Sequence, residues 1–261
     1  MNQQDQPVAA VTGAAQGIGR RVAETLAERG YALALADLRD PDETRTAVTA
    51  LGAPALTSIG DVADQQHVDA FADAVLERFG RIDVLVNNAG ISLLQPAEQT
   101  SAEQWRRVLE VNLTGPFLLS QAFGRPMLAA RSGSIVNIAS IAGLHAVADR
   151  AAYNTSKHGL IGLTRTLAAE WGGRGVRVNA VCPGWVKTEM DEADQASGGY
   201  SDQDITDRVP MGRFAAPDDI AAAVAFLADP AHSGFVNGVA LPVDGGWTAD
   251  ASWTSLRLRK R

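Results

Sequence analysis

Short apolar runs alternate with longer stretches of helical periodicity along most of the 261-residue chain. The runs are rich in valine, isoleucine, leucine and alanine, and their length suits buried strands. They cover residues 8–12, 31–36, 55–60, 82–87, 134–140, 176–181 and 239–243. This pattern predicts seven strands.

The stretches between the runs are amphipathic. In "QHVDAFADAVLERFG", Val68, Phe71, Val75 and Phe79 recur at helical spacing, and Gly80 is placed to end the helix. Strand and helix alternating in this way predict right-handed βαβ units. We therefore expect one α/β domain over residues 1–261, a doubly wound seven-stranded parallel sheet with helices on both faces.

One segment, residues 189–212, breaks this alternation. It is polar, acidic and glycine-containing, and it offers few core residues. Long excursions in compact folds are often functional loops. We expect a lid over a site near 189–212, with a plain surface insertion as the alternative.

Composition narrows the class of protein. The net charge is −7, and four of the last five residues are Arg or Lys, so the acidic remainder argues against a nucleic-acid partner. We expect the basic end to be solvated, with phosphate or membrane contact as the alternative. The single cysteine, Cys182, fits a reducing, cytoplasmic compartment. No signal peptide and no membrane span are expected.

A glycine-rich loop follows the first run directly. "TGAAQGIG" places Gly13, Gly17 and Gly19 where a helix begins. Glycines allow a tight turn and close backbone approach, and the helix N-terminus offers free N–H groups to a diphosphate. Such glycines can also merely end a strand, but this position favours a dinucleotide cofactor.

Asp37 ends the second run, where a carboxylate can accept hydrogen bonds from the adenosine ribose and repel a 2′-phosphate. It favours NAD and makes NADP less expected, although Arg20 and Arg39 are candidate phosphate partners. Asp61 and Val62 follow the third run, near the expected adenine. The turn "NNAG" (87–90) follows the fourth and can lie against the cofactor.

Tyr153 and Lys157 stand four residues apart on one predicted helix face. A nearby cation lowers the pKa of a phenol, so tyrosine can exchange a proton with an alcohol or carbonyl. Ser140 ends the fifth run, at the sheet edge where such folds bind ligands. Asn112 is polar within a helical run and can hold a water near Lys157 or act as a structural amide.

Together, "TGAAQGIG", "NNAG", the set Asn112, Ser140, Tyr153 and Lys157, and "PGWVKT" (183–188) resemble the short-chain dehydrogenase/reductase family over nearly the whole chain. The resemblance implies a Rossmann-like fold, a homotetramer, and reversible oxidation of an alcohol to a ketone by hydride transfer. It implies that Tyr153 is the acid/base, Lys157 supports it and binds the nicotinamide ribose, Ser140 orients the substrate, and Asn112 anchors a water. No metal is implied. The cofactor positions are Gly13, Gln16, Gly17, Ile18, Gly19, Asp37, Asp61, Val62, Asn88, Ala89, Gly90, Tyr153, Lys157, Pro183, Val186 and Thr188.

The substrate is expected to be a small polyol, sugar or secondary alcohol. Candidate contacts are Ser140, His145, Arg150, Tyr153 and Trp185. Arg150 can bind a carboxylate, as in 3-hydroxybutyrate dehydrogenases of the family, or it can pair with Asp149 or an acid of the lid. A third hypothesis is a cofactor-binding regulatory protein, although such proteins commonly lose the tyrosine or the lysine.

Overall fold

The computed structural model describes residues 6–196, 200–253 and 255–256. All seven predicted runs form strands, with ends that differ from the prediction by no more than two residues. The basic C-terminal residues 257–261, and residues 197–199 of the expected lid, lie outside the described residues. The strands are β1 (Val8–Thr12), β2 (Ala32–Asp37), β3 (Ala55–Ile59), β4 (Val84–Asn87), β5 (Gly133–Ile138), β6 (Val176–Pro183) and β7 (Ala240–Val243).

The strands form one parallel sheet in the order β3-β2-β1-β4-β5-β6-β7. The chain builds outward from β1 to β3 and then returns to place β4 on the other side of β1. A crevice opens at the carboxyl ends of adjacent strands where the winding direction changes, and ligands of open α/β sheets bind there. The doubly wound, Rossmann-like fold is therefore confirmed.

Helices cover both faces of the sheet. A π-helical turn, Glu110–Thr114, joins α4 to α5, and Gly80 ends α3 in the left-handed conformation with φ 71. The segment expected to be a lid forms two short helices, α7 and α8. The helices are α1 (Gly17–Glu28), α2 (Asp42–Ala50), α3 (Gln65–Phe79), α4 (Ala102–Leu109), α5 (Gly115–Ala130), α6 (Ala151–Trp171), α7 (Glu189–Ala196), α8 (Asp202–Arg208), α9 (Pro217–Ala228) and α10 (Pro230–Ser233).

The core consists of two layers, one on each face of the sheet. Alternate residues of β1 illustrate the division, since Ala9 packs on the side of α1 and α9 and Ala10 on the side of α3 and α5. Phe71 and Phe123 meet edge to face in the second layer, with ring centroids 5.4 Å apart. Burying each such side chain stabilises the fold by about 1.5–3 kcal/mol.

A line of polar side chains crosses this second layer. Asn87 and Asn137 are register partners on β4 and β5, and Nδ2 of Asn87 donates to Oδ1 of Asn137 at 2.8 Å. Nδ2 of Asn137 donates to Oγ1 of Thr164 on α6 at 2.9 Å, and all three side chains are buried. These contacts fix α6 against the sheet.

None of the helices within the described ranges has the length and apolar character needed to cross a membrane.

Candidate active site

A cavity of about 530 Å³ opens at the carboxyl edge of the sheet. It extends from the glycine loop and Asp37, past the turn after β4, to Ser140 and Tyr153. Residues of α7 form part of its wall. The glycine loop, the acidic residue after β2 and the tyrosine–lysine pair, which are far apart in sequence, thus face one cavity.

The glycine loop leaves no room for side chains. A Cβ on Gly13 would lie 2.8 Å from Nδ2 of Asn88, and the φ of +64 at Gly13 is one that other residues rarely adopt. A Cβ on Gly19 would lie 2.0 Å from the carbonyl oxygen of Gly13. Gly13 and Gly17 line the cavity, whereas Gly19 does not and instead lets α1 pack on the loop.

Asn88 binds the turn after β4 to the glycine loop. Its Nδ2 donates to the carbonyl oxygens of Thr12 and Gly13 at 2.9 and 3.0 Å. Oγ1 of Thr12 accepts hydrogen bonds from the backbone N–H groups of Asn88 and Ala89, both at 3.1 Å. These contacts hold both walls of the crevice at a fixed separation, which suits a rigid site for an extended ligand.

Asp37 and Asp61 lie at the other end of the cavity. The carboxylate of Asp37 accepts from the N–H groups of Ala15 and Arg39, at 2.9 and 3.0 Å. Asp61 pairs with Arg107 at 2.7 Å. Backbone glycines that face a crevice, followed by an acidic residue on the next strand, fit the diphosphate and ribose of a nicotinamide dinucleotide.

Ser140 and Tyr153 meet at the opposite end. Ser140 follows β5, and its Oγ accepts from the N–H of Ala142 at 3.1 Å, which fixes the start of the 3₁₀ turn Ile141–Gly143. Its side chain also hydrogen-bonds the phenol of Tyr153. Two hydroxyl groups therefore lie together where a substrate oxygen can bind both.

Burial raises the pKa of Tyr153 above its ordinary value, while the hydrogen bond with Ser140 and the charge of Arg150 act in the opposite direction. Nζ of Lys157 lies 5.6 Å from the Tyr153 ring centroid and donates to the carbonyl oxygen of Ile138 at 2.8 Å. Burial also lowers the pKa of Lys157 to about 8. Burial is the largest of the effects on Tyr153, and the expectation that Lys157 lowers the phenol pKa stays a prediction.

Asn112 lies in the π-helical turn between α4 and α5 and is fully buried. Its Oδ1 accepts from the N–H of Ile91, and its Nδ2 donates to the Ile91 carbonyl oxygen and to Oγ of Ser156. The side chain thus ties the loop after β4 to α6. This is the structural-amide alternative, and Asn112 is not among the residues that line the cavity.

Arg150 lies just before α6 and is buried against the cavity wall. Its Nη2 contacts Oδ2 of Asp194 on α7 at 2.7 Å, and its Nη1 donates to Oγ of Ser92 at 2.7 Å. Oγ of Ser92 donates to the same Asp194 oxygen at 3.1 Å. Of the two alternatives for Arg150, the structure has the pair with an acid of the lid.

His145 is the predicted substrate contact that lies apart from the others. Its ring is exposed and packs edge-on against Trp247, 5.9 Å between centroids, and it does not line the cavity. Trp185 does line the cavity, and its ring packs against that of Tyr200 at 4.7 Å. Every predicted cofactor position except Gly19 lines the cavity: Gly13, Gln16, Gly17, Ile18, Asp37, Asp61, Val62, Asn88, Ala89, Gly90, Tyr153, Lys157, Pro183, Val186 and Thr188.

Asp191, Asp194 and Tyr200 are among the cavity residues that the sequence analysis did not single out. They belong to the segment expected to be a lid, and the acidic composition of this segment was the sequence feature that could have pointed to them. The hydroxyl of Tyr200 donates to Oδ1 of Asp191 at 3.0 Å. In the part of the chain that the structure describes, no group of three or more His, Cys, Asp or Glu side chains could hold a metal ion.

Comparisons with known proteins agree with this geometry. A family model described as enoyl-(acyl carrier protein) reductase matches residues 13–248. D-threitol dehydrogenase of Mycolicibacterium smegmatis is 46% identical over 247 residues, which cover 94% of each chain. Galactitol 2-dehydrogenase (L-tagatose-forming) of Cereibacter sphaeroides is 42% identical over 248 residues, 94% of this chain and 96% of that one.

Among solved structures, a variant of actinorhodin polyketide ketoreductase with NADPH has a TM-score of 0.90 and 37% identity, covering 95% of this chain and 99% of that chain. The chain therefore belongs to the short-chain dehydrogenase/reductase family. It is an oxidoreductase of the class that uses a nicotinamide dinucleotide, NAD or NADP.

Proposed function

We propose that this enzyme catalyses the reversible NAD-dependent oxidation of a secondary hydroxyl group in a small neutral polyol, sugar or related alcohol. The observation that carries the proposal is the meeting of the Ser140 and Tyr153 hydroxyls in a cavity that also contains the glycine loop and Asp37. Both named relatives act on polyols, D-threitol and galactitol.

A bound nicotinamide dinucleotide would accept or supply the hydride. Tyr153 takes the hydroxyl proton during oxidation and returns it to the carbonyl oxygen during reduction. Ser140 holds the substrate oxygen beside the phenol and stabilises the phenolate through their hydrogen bond. Lys157 supports the phenolate and binds the nicotinamide ribose, while Asn112 keeps the Ile91 loop and α6 in place.

The preference for NAD rests on Asp37. A 2′-phosphate near this carboxylate would be repelled, whereas ribose hydroxyls can donate to it. The fold itself accepts either cofactor, since the related ketoreductase binds NADPH, and Arg39 also lines the cavity. The discriminating quantity is thus the ratio of NADH to NADPH affinity.

Two alternatives are weaker. A 3-hydroxy acid would need a free cation, but the guanidinium of Arg150 is paired with Asp194. A regulatory protein without turnover would not need the Ser140, Tyr153 and Lys157 cluster, which is complete here. We infer further that residues 1–261 form one domain. We also infer that residues 189–212 act as a lid through α7, because Met190, Asp191 and Asp194 of this helix line the cavity.

We also propose a homotetramer. Phe117 on α5 and Phe226 on α9 are 43% and 40% exposed, and Phe235, just before β7, is fully exposed. Large apolar side chains left exposed on more than one face of the molecule favour protein partners there. A monomeric mass by light scattering at micromolar concentration would contradict this. The cytoplasmic location expected from the single cysteine stays a prediction.

The decisive experiment is a dehydrogenase screen of the purified protein with NAD and with NADP. Substrates would include D-threitol, galactitol, glycerol, a cyclic secondary alcohol and both enantiomers of 3-hydroxybutyrate. We expect turnover of one or more neutral polyols with NAD. Turnover of the hydroxy acids alone, or of no alcohol, would contradict the proposal.

A further inference from the structure

The wall of the cavity beside Tyr153 contains a closed group of three polar side chains, Ser92, Arg150 and Asp194. They come from the loop after β4, the residue before α6, and α7. Every pair among them is in contact, at 2.7, 2.7 and 3.1 Å. The side chains of Arg150 and Asp194 are only 8% and 15% exposed, so water screens this pair weakly.

The group lies close to the reacting end of the cavity. Cζ of Arg150 is 5.9 Å from the Tyr153 ring centroid and 5.8 Å from the Trp185 ring. A substrate whose hydroxyl binds Ser140 and Tyr153 would therefore place its next carbon atoms near Arg150 and Asp194. Arg150 and Asp194 are therefore placed to recognise the part of the substrate that does not react.

The charges of the pair decide what can bind there. A carboxylate would have to displace Asp194 from Arg150 and would leave the Asp194 charge buried and unpaired, which is costly. An uncharged hydroxyl can donate to a carboxylate and accept from a guanidinium without breaking the pair. The wall thus favours a neutral, hydroxylated substrate.

We propose that Asp194 is a specificity-determining residue, which neutralises Arg150 and thereby makes the enzyme select neutral polyols and exclude hydroxy acids. This inference rests on the proposed function. It assigns to Asp194 the discrimination between two substrate classes that the Ser140, Tyr153 and Lys157 cluster would treat alike.

The test compares two four-carbon substrates, D-threitol and 3-hydroxybutyrate, on the full-length enzyme. Asp194→Asn keeps the shape of the side chain but releases the charge of Arg150. The kcat/KM ratio of hydroxybutyrate to threitol should rise by about ten-fold or more, the usual effect of one charge-assisted contact. The double variant Arg150→Met/Asp194→Asn should lose this gain, because the freed cation is absent.

Glu192→Gln is the matched control, since it removes the same charge from an exposed position on the same helix. Its substrate ratio should stay within about two-fold of the wild type, and thermal unfolding would verify the folding of each variant. An equal rise in Glu192→Gln, or a ratio in Asp194→Asn within about two-fold of the wild type, would overturn the inference.

Two readouts separate this inference from the proposed function. The first is calorimetric binding of 3-hydroxybutyrate to the NADH complex, which needs no turnover and should strengthen about ten-fold in Asp194→Asn. If the wild type oxidises no alcohol, the proposed function fails, and binding alone decides the role of Asp194.

The second readout is the pH profile of oxidation. Asp194 raises the pKa of Tyr153, so the profile should move to lower pH in Asp194→Asn. An unchanged affinity and an unmoved profile would overturn the inference.

Discussion

The two halves of the cavity are built by different means. At the cofactor end, the loop after β1 is held by glycine conformations and by contacts to backbone groups, such as those from Asn88 to Thr12 and Gly13. At the substrate end, the wall is made by side chains, and Ser92 and Asp194, which are 102 residues apart, meet in it. The glycine loop at the cofactor end depends mainly on backbone shape, with the Asp37 carboxylate added to it, whereas the substrate end depends on the identity of its side chains.

This difference implies that the two ends should respond differently to substitution. Changes at the cofactor end should alter stability and nucleotide affinity, and they should therefore lower activity equally for every substrate. Changes at the substrate end should alter the choice among substrates and leave nucleotide affinity unchanged. Tyr153, at the reacting end of the cavity, should affect turnover alone.

The largest effect is expected for Tyr153→Phe. The ring remains and the proton is lost, so turnover should fall by about 10²-fold or more, while NADH binds as in the wild type. Stopped-flow kinetics and fluorescence titration with NADH would measure the two quantities. A loss of NADH affinity equal to the loss of turnover would show that the two ends are not separable.

Gly19→Ala should damage the cofactor end next most strongly. The added Cβ would lie 2.0 Å from the carbonyl oxygen of Gly13. Such overpacking typically costs about 1–3 kcal/mol and should lower the Tm by several degrees and weaken NADH binding. Gly173→Ala, where nothing lies within 4 Å of the added Cβ, is the control. Equal stability of the two variants would disprove the close packing at Gly19.

Asp37→Asn should change cofactor choice without changing substrate choice. The N–H groups of Ala15 and Arg39 donate to different oxygens of Asp37, so the amide keeps one of these two hydrogen bonds, and it removes the charge that opposes a 2′-phosphate. We expect the affinity ratio of NADH to NADPH to fall by about ten-fold, as for the loss of one charged interaction. Calorimetry with both nucleotides would test this, and a wild type that prefers NADPH would refute it.

The smallest predicted effect concerns pH. Burial raises the pKa of Tyr153, so the phenol is protonated at neutral pH, ready to reduce a ketone but not to oxidise an alcohol. Oxidation should therefore speed up and reduction slow down as pH rises. The charge of Lys157, whose pKa is about 8, is present below that pH and is lost above it, so the rise in oxidation should flatten there. Initial rates of oxidation and of reduction, measured from neutral pH to above pH 8, would show the opposite pH dependences. Profiles that change in the same direction would contradict the prediction.

The same contrast explains what the sequence could and could not predict. The seven strands and the glycine loop follow from local patterns, since alternation and glycine spacing are visible within a few residues. All the residues expected to hold the cofactor, except Gly19, therefore line the cavity, and their role in binding it stays a prediction. The substrate half was predicted only in part. A pair of Arg150 with an acid of the lid was one of the alternatives, but which acid it is depends on how α7 lies against the start of α6, which no local pattern encodes.

Two single residues show where local inference ended. His145 follows Ser140 closely in sequence, but the 3₁₀ turn Ile141–Gly143 carries it away from the cavity and toward Trp247. Asn112 was correctly placed in a helical stretch, but the π-helical turn that aims its amide at Ile91 could not be foreseen. Both outcomes depend on backbone irregularities shorter than one helical turn.

The buried contact between Asn87 and Asn137 also bears on how the chain finds its fold. Neighbouring strands made only of aliphatic residues could pair almost equally well in a shifted register, because each position would still bury a similar side chain. A shift of β4 against β5 would leave the two amides facing hydrocarbon, which costs about 1–3 kcal/mol per unpaired group. The two asparagines therefore favour the native register of β4 and β5. Through Thr164 they also set the position at which α6, the helix of Tyr153 and Lys157, packs on the sheet.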